Sequence, residues 1–319
     1  MFKVPILIIG FNRPDYIKKQ ITVLRQIKPR SLYITIDAPR RNNEEDAKKV
    51  DEVKSLIDQE CDWDVKLFKN YAISNLGCGP GPVSGIDWFF EHVEEGIILE
   101  DDCIADLSFF TYCEELLEKY RSDSRVMTIS GSCYPLSVKS NEYSYSFSSF
   151  IHIWGWATWR RAWKHFDIEI KEFPGTNGQK AIRNTLQSSR AIHEWQKRFL
   201  SVFGKGKAHI WDYQWMFASW LKGGITIHPK VNMIDNIGFG EDSTHTKDRS
   251  KSHAMTSGSI TFPLSHPEEV KVDSEVDFMI QDKIVTPHGF VVYCKYLLEI
   301  CFPSGLIKIL KNCKQLILK

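Results

Sequence analysis

Short apolar runs alternate with helical patterns along the first half of the chain. A continuous apolar run at residues 4–10 predicts a buried strand. A β-branched stretch at 32–36 and the residues 65–68 predict two more strands. Between them, apolar residues recur at helical spacing within residues 17–24 and 47–57, which predicts amphipathic helices. Strands that alternate with helices are typical of a mostly parallel sheet covered by helices. We therefore predict an α/β fold.

Polar residues directly follow three of the predicted strands, and one of these strands is the short apolar run at 96–99. In open α/β sheets, ligands bind beyond the carboxyl ends of the strands. We therefore expect the polar residues at these ends to lie in one ligand site. They are Asn12, Arg13, Asp37, Glu100, Asp101 and Asp102.

The three consecutive carboxylates at 100–102 repel one another, because like charges at short distance raise each other's pKa. A divalent cation relieves this repulsion. Mg²⁺ and Mn²⁺ take oxygen ligands, usually one or two carboxylates, and substrate phosphates supply others. The triplet therefore predicts a metal site shared with a nucleotide diphosphate. The alternative is an acidic helix N-terminus stabilised by the helix dipole, because Ser108 opens a predicted helix soon afterwards.

The second half of the chain has fewer clear strand patterns and contains two groups of tryptophans, within residues 154–163 and 211–220. Aromatic residues at this density usually pack in a core. We find no internal repeat in the sequence. The Ser/Tyr-rich stretch at 134–149 is a soft boundary, and we expect one continuous structure rather than independent domains.

The composition indicates which binding partners and which cellular compartment to expect. The chain has 41 basic and 40 acidic side chains, so no overall field attracts nucleic acid or an anionic surface. Its eight cysteines are scattered, without paired metal-binding spacing, and suit a reducing compartment. The apolar run at 4–10 is too short to cross a bilayer, and no small-residue cleavage site follows it. We therefore expect a cytoplasmic protein.

The C-terminal residues 290–318 are apolar with interspersed lysines, and a Pro-Ser-Gly sequence at 303–305 interrupts them. This pattern predicts two short helices. Either they pack on the rest of the protein, or a basic amphipathic face makes peripheral contact with a membrane.

Four segments resemble bacterial nucleotide-diphospho-sugar transferases related to the animal N-acetylglucosaminyltransferase I family. The most specific are Leu-Glu-Asp-Asp at 99–102, which Phe109 and Phe110 follow, and Ile-Trp-Gly-Trp-Ala at 153–157. The resemblance implies a GT-A fold that binds a UDP-sugar with Mn²⁺, or Mg²⁺, and inverts the anomeric centre. Residues after 255 match nothing in the family. The four segments are residues 5–13, 96–110, 153–163 and 211–245.

Matched position by position, the resemblance makes Asp102 the metal ligand and places Glu100 and Asp101 against the ribose and sugar of the donor. Arg13 and Asp37 match the family's uracil contacts. The alternative roles are structural: Arg13 would be a neighbour of the helix cap, and Asp37 would be an aspartate in a turn. The glycine-rich loop at 75–81 matches the donor-binding loop, unless it is a plain turn. The implied donor-binding residues are Arg13, Asp37, Asn75, Gly77, Glu100, Asp101 and His245.

An inverting transfer needs one base that takes the proton of the acceptor hydroxyl. The family carries this base in a Trp-Asp-Asp-Trp motif, whereas residues 211–215 are Trp-Asp-Tyr-Gln-Trp, which is one residue longer and has a single acid. We predict Asp212 as the base, with Glu241 or Asp242 as the substitute if the register differs. A helix cap is the alternative for Asp212.

The acceptor side is less defined. Trp154 and Trp156, with Glu241 and Asp242, are its candidate residues, and core packing is the alternative for the tryptophans. His245 matches a histidine in the family's loop that orders over the donor. A closed loop there would exclude water and limit hydrolysis of the donor.

The resemblance divides the chain into a GT-A domain at 1–255 and a helical C-terminal extension at 256–319. Within the domain, residues 1–133 form the nucleotide-binding half and residues 134–255 the acceptor and catalytic half. The implied reaction moves a hexose or N-acetylhexosamine to a glycan hydroxyl, on a lipid-linked acceptor for bacterial surface polysaccharide. We therefore expect an enzyme at the inner face of the cell membrane.

Two other functions compete with this one. A sugar-phosphate nucleotidyltransferase is also an α/β enzyme with acidic metal ligands, but residues 10–14 lack its glycine-rich, basic phosphate-binding signature. A GT-A protein that binds carbohydrate without catalysis is the second, and the intact acids at 100–102 and at Asp212 oppose it. The sequence contains neither a basic patch nor a motif that would indicate nucleic-acid binding.

Overall fold

The computed structural model describes residues 1–134, 143–206, 209–239 and 256–285. The strands are β1 (Ile6–Gly10), β2 (Ser31–Ile36), β3 (Lys66–Tyr71), β4 (Glu95–Glu100), β5 (Cys103–Ala105), β6 (Val126–Ser130), β7 (Tyr145–Ser148), β8 (Trp156–Trp159), β9 (Ile225–Pro229) and β10 (Ile234–Asn236). The helices are α1 (Pro14–Ile27), α2 (Glu44–Glu60), α3 (Pro80–His92), α4 (Leu107–Tyr120), α5 (Arg160–Trp163), α6 (Thr176–Thr185), α7 (Ser189–Val202), α8 (Asp212–Leu221) and α9 (Ser274–Met279), which a π-helical turn at Ile280–Val285 follows.

The central sheet has eight strands in the order β3-β2-β1-β4-β8-β6-β9-β7, and β10 and β5 form a separate two-stranded sheet. Strands β3, β2, β1 and β4 are parallel to one another, and β6 is parallel to β9. Only β8 and β7 run antiparallel to their neighbours in this sheet. The predicted α/β fold, with a mostly parallel sheet flanked by helices, is confirmed.

The parallel register brings the ends of β1, β2 and β4 to one edge of the sheet. Ile9 pairs with Glu100, and Gly10 pairs with Ile36. The backbone N–H of Asp37 then donates to the carbonyl of Gly10 at 3.1 Å. The polar residues after these strands are therefore neighbours, as the sequence pattern predicts.

Strand β8 was not predicted, and it lies between β4 and β6 in the middle of the sheet. It pairs Trp156 with Ile98, so the chain just before β8 runs beside the end of β4. Gly155 has a φ of +60° there, and an added Cβ would lie 2.3 Å from Ile234 and 3.3 Å from Leu99. Only glycine fits this close approach without movement of its neighbours.

Two apolar cores cover the two faces of the sheet. One joins the sheet to α1, α2 and α4, and the other joins it to α3 and the helices of the second half. The second core contains six buried tryptophans as well as Phe150 and Phe199. The tryptophans are Trp156, Trp163, Trp195, Trp211, Trp215 and Trp220, each at most 4% exposed. The prediction that the tryptophan groups pack in a core therefore holds for most of their members.

Residues 256–285 pack on both of these cores. Ile260 and Leu264 belong to the first core, whereas Val276 and Ile280 belong to the second. The helices predicted within 290–318 lie outside the described residues. Within the residues that the structure describes, no helix is both long and apolar enough to span a bilayer.

Candidate active site

A cleft of about 1410 Å³ opens beyond the carboxyl ends of β1, β2 and β4. Its lining combines the polar strand ends with the segments around the starts of α3 and α8. The cleft therefore gathers side chains that lie far apart in the sequence. The predicted site residues in its lining are Arg13, Asp37, Asn75, Gly77, Glu100, Asp101, Asp102, Trp154 and Asp212.

Arg13 links the end of β1 to the acidic triplet at the end of β4. Its Nη1 lies 3.0 Å from Oδ1 of Asp101 and 3.2 Å from Oδ2 of Asp102. The backbone N–H of Phe11 donates to the other oxygen of Asp101 at 3.2 Å. Because Asp101 is only 6% exposed, the guanidinium supplies a counter-charge where water supplies little. The carboxylates of Asp101 and Asp102 therefore both face the same nitrogen of Arg13.

The acidic triplet is electrostatically strained despite this counter-charge. Burial raises the pKa of Glu100 to about 8, and the charges of Asp102, Asp101 and Asp212 add to the shift. Burial also raises the pKa of Asp101 to about 6, although Arg13 opposes the shift. Full ionisation of the triplet is therefore unfavourable in the protein alone, and additional positive charge such as a bound cation would favour it.

The triplet does not form a helix N-terminus. Strand β5 separates it from α4, and Asp106 caps that helix, because its carboxylate accepts the N–H of Ser108 at 2.9 Å. Gln20, on α1, is 2% exposed and donates to the carbonyls of Glu100 and Cys103. Backbone contacts rather than a helix dipole therefore fix the triplet, which excludes the alternative explanation for these acids.

Asp37 organises the glycine-rich loop. Its Oδ1 accepts the N–H of Leu76 at 2.9 Å, and its Oδ2 accepts Nδ2 of Asn75 at 3.1 Å and the N–H of Gly77 at 2.9 Å. Gly77 has a φ of +82°, a conformation that favours glycine. The loop is therefore not a plain turn, since a carboxylate from β2 holds it at the rim of the cleft.

Gly238 was not predicted as a site residue, although it lies directly against Asp102. An added Cβ would lie 2.1 Å from Oδ2 of Asp102. The N–H of Ile237 donates to the carbonyl of Asp102 at 2.9 Å, and Asn236 accepts the N–H of Gly238 at the same distance. This contact depends on the pairing of β10 with β5, which no local sequence pattern indicates.

Asp212 is the first residue of α8, and Trp211 occupies the cap position without a side-chain cap bond. Asp212 is therefore not the helix cap. It lines the cleft, and its negative charge contributes to the raised pKa of Glu100. The candidate base and the acidic triplet thus lie within electrostatic reach of each other.

The two candidate acceptor tryptophans have different surroundings. Trp154 is half-buried, lines the cleft and packs edge-on against Phe239, with ring centroids 6.0 Å apart. Trp156 is 1% exposed and packs against Trp211 with centroids 5.8 Å apart. Its assignment to an acceptor groove is corrected here, because its side chain points into the core. The other candidates of the second half, Glu241, Asp242 and His245, lie outside the described residues.

The donor chemistry of the triplet fits a hard divalent cation. Carboxylate oxygens of Asp101 and Asp102 already converge on a cationic nitrogen of Arg13. Among the residues that the structure describes, no group of three or more His, Cys, Asp or Glu side chains could hold a metal ion alone. Mg²⁺ in phosphate-transfer sites is likewise held by one or two carboxylates together with substrate phosphates.

Comparison with known proteins gives structural similarity without a family assignment. No protein-family model matches the sequence, and no curated sequence is significantly similar to it. Residues 1–349 of S. aureus TarS are 11% identical, over 63% of this chain and 71% of that one, with a TM-score of 0.36.

Two further solved structures are similarly remote. Mouse xyloside xylosyltransferase 1, in its apo form, is 9% identical over 69% of this chain and 82% of its own, with a TM-score of 0.34. HddC from Yersinia pseudotuberculosis is 10% identical over 54% of this chain and 86% of its own, with a TM-score of 0.32. Similarities this remote carry no information about the reaction, which is inferred from the site itself.

Proposed function

We propose that this protein is a metal-dependent, inverting glycosyltransferase of the GT-A type. It transfers a hexose or N-acetylhexosamine from a UDP-sugar to a hydroxyl of a glycan. One observation carries the proposal: the acidic triplet, with Asp101 buried at its centre, and Asp212 line a single cleft beyond the ends of parallel strands. A lipid-linked acceptor and a role in surface polysaccharide synthesis at the inner face of a bacterial membrane belong to the same proposal.

The donor lies along the strand ends in this proposal. Glu100 and Asp101 contact its sugar and ribose, and the Asn75–Gly77 loop covers the donor from the rim. Arg13 and Asp37 lie toward the uracil, and both also hold neighbouring protein groups in place. His245, which lies outside the described residues, is the proposed further contact of the diphosphate. The support for this arrangement is that all the described members line one cleft.

Asp102 is the proposed protein ligand of a divalent cation, Mn²⁺ or Mg²⁺. The fit comes from its carboxylate, which faces the cleft beside two further acids with too little counter-charge. When bound, such a cation would offset the negative charge that develops on the departing diphosphate. Because Gly238 has no Cβ, the Asp102 carboxylate has room at this position; an added Cβ would lie 2.1 Å from its Oδ2.

Asp212 is the proposed base. Its carboxylate accepts the proton of the acceptor hydroxyl while that oxygen forms a bond to the anomeric carbon. The bond between the anomeric carbon and the diphosphate oxygen breaks on the opposite face, and UDP departs with the electron pair. One carboxylate is sufficient for this single displacement, and Asp212 begins a helix whose buried tryptophans fix its position.

Two measurements test the proposal. Thermal shift with a panel of nucleotide sugars and Mn²⁺ identifies the donor, because a ligand of the folded state raises the melting temperature. UDP release with oligosaccharide acceptors then measures transfer. Asp212→Asn should keep donor binding and reduce transfer by about 10²–10⁴-fold, the range of general-base catalysis. Asp64→Asn, at an exposed position far from the cleft, is the matched control.

The outcomes separate the competing functions. Transfer at the parent rate by Asp212→Asn would mean that another group is the base. Release of pyrophosphate from a nucleoside triphosphate and a sugar phosphate would indicate a nucleotidyltransferase. Donor binding without any turnover would indicate a carbohydrate-binding protein that keeps the fold without catalysis.

A further inference from the structure

Arg198, on α7, stacks its guanidinium on aromatic rings beside the proposed base. Its guanidinium carbon lies 4.7 Å from the ring centroid of Trp195 and 5.9 Å from that of Tyr213. Tyr213 directly follows Asp212 in α8 and lines the cleft. The cation therefore lies one side chain away from the cleft, on the side of Asp212 and Tyr213.

Arg198 lacks a counter-ion within the part of the chain that the structure describes. Among the described residues, no carboxylate lies within ion-pair distance of it, and no hydrogen bond of its guanidinium is present. Other half-buried arginines are satisfied: Arg13 binds two carboxylates, and Arg161 donates to three backbone carbonyls. A half-buried cation without hydrogen-bond acceptors is costly. The stacked rings compensate for only part of this cost, because a cation–π contact leaves the N–H donors unused.

The electrostatic surroundings place Arg198 and Asp212 around the same two phenols. Burial raises the pKa of Tyr134 and of Tyr213, and at both residues the positive charge of Arg198 opposes that rise while the negative charge of Asp212 adds to it. Both charges therefore act in one small region.

We propose that Arg198 binds an anionic group, a phosphate or a carboxylate, on the acceptor molecule. The inference rests on the proposed function and deepens it, because it names the acceptor as a negatively charged glycan or glycolipid. The guanidinium fork matches the planar, two-oxygen geometry of carboxylate and phosphate and binds either through two N–H groups. The contacts with Trp195 and Tyr213 keep the guanidinium close to the residue that follows the proposed base.

The test measures the binding of small anions while UDP and Mn²⁺ fill the donor side, so that no phosphate probe can bind there. The probes are glucose 1-phosphate, glucuronic acid and the neutral methyl glucoside, followed by NMR titration. We expect both anions, or one of them, to bind at least tenfold more tightly than the neutral sugar. The preferred anion identifies the source as a phosphate or as a carboxylate.

The variants assign this preference to Arg198. Arg198→Met keeps an unbranched stem for ring packing and should remove the tenfold preference, whereas Arg198→Lys keeps the charge without the fork and should retain part of it. The matched control is Arg183→Met, an exposed arginine on α6 that should leave the preference unchanged. The affinity for UDP with Mn²⁺ should be the same in all three variants.

Equal binding of neutral and anionic probes, or an unchanged preference in Arg198→Met, would overturn the inference. If the Met variant does not fold, the Lys variant decides, since a role in packing alone predicts the same anion preference as in the parent protein. If UDP with Mn²⁺ does not bind at all, the proposed function fails. The same probes, applied to the protein without nucleotide, then still decide whether Arg198 is an anion site.

Discussion

The two sides of the cleft are held by different forces. On the donor side, charged and polar side chains at adjacent strand ends bind one another, as Arg13 binds Asp101 and as Asp37 holds its loop. On the acceptor side, Asp212 begins a helix that is packed on buried aromatic rings. The donor side therefore depends on charge balance, whereas the acceptor side depends on filled volume. Substitutions that disturb charged groups should therefore affect the donor side most, and substitutions that remove buried volume should affect the acceptor side most.

The largest expected effect is on the acceptor side, at Trp156. Its ring is 1% exposed and packs among Trp163, Trp211 and Trp215 with centroid distances of 5.8–6.1 Å. Trp156→Ala leaves a cavity under the start of α8 and should lower the free energy of unfolding by about 3–5 kcal/mol. Denaturant unfolding measures this loss, and transfer activity should fall with it.

Trp154→Ala is the matched control, because the two tryptophans are two positions apart in the sequence. Trp154 is half-buried at the cleft, so its loss should change stability by no more than about 1 kcal/mol and should instead raise the KM for the acceptor. Equal stability losses in the two variants would mean that the acceptor side does not depend on the buried tryptophan group.

The next effect is on the donor side, at Gly238. The methyl group of Gly238→Ala would overlap the carboxylate of Asp102, with the new Cβ 2.1 Å from Oδ2, so the acid or the segment must move. We expect Mn²⁺-dependent donor affinity to fall by about 100-fold, or ~2.7 kcal/mol, while the melting temperature changes little. Isothermal calorimetry with a UDP-sugar measures the affinity.

Gly206→Ala is the control for this substitution, because an added Cβ there would lie 3.7 Å from Glu169, an ordinary contact. Parent-like donor affinity in Gly238→Ala would show that the position of the Asp102 carboxylate does not limit metal and donor binding. The claim that the donor side depends on the placement of its charged groups would then be wrong.

The donor side was the more predictable of the two from sequence. Each strand there is a local apolar run, and the polar residues that matter stand at its end, so the pattern locates them without knowledge of strand pairing. The pattern does not show which side chains these polar residues contact. Arg13 was assigned to uracil, and its contact with Asp101 and Asp102 depends on the register between β1 and β4.

The acceptor side was less predictable, because its geometry comes from pairings between distant segments. Strand β8 joins the sheet between β4 and β6, and this insertion turns Trp156 into the core while Trp154 faces the cleft. Gly238 reaches Asp102 only because β10 pairs with β5. Arg198 meets Tyr213 through the packing of α7 on α8. None of these contacts has a local sequence signal.

The smallest expected effect contrasts two buried aspartates, one in each half. Asp46, 2% exposed, binds Arg40 and accepts Nδ2 of Asn12 at 2.7 Å, and the hydrogen bonds from Arg40 lower its pKa to about 2. Asp277, 3% exposed, accepts the neutral donors of Ser148 and Ser149 and no charged donor among the described residues, and burial raises its pKa. A positive partner thus stabilises the charged form of Asp46, whereas burial disfavours the charged form of Asp277.

The two shifts have opposite consequences for stability as the pH changes. A lowered pKa stabilises the fold above the unfolded value, near 3.9, and this contribution disappears as the pH falls toward 2. A raised pKa stabilises below about 3.9, and that contribution disappears as the pH rises through the folded value. Asp46→Asn should therefore cost about 1–2 kcal/mol at pH 7, with the difference from the parent protein vanishing near pH 2.

Asp277→Asn should behave in the opposite way. Its Oδ1 accepts the hydroxyl of Ser148 and the N–H of Ser149, and its Oδ2 accepts the same N–H. An amide oxygen at the Oδ1 position can therefore keep a bond to each serine without a buried charge. The variant should cost little at pH 7 and should compare least favourably with the parent protein at acid pH, where the parent carboxyl is protonated. Urea unfolding at pH 3, 5 and 7 measures both variants. Stability differences that change with pH in the same direction would show that charge balance does not distinguish the two halves.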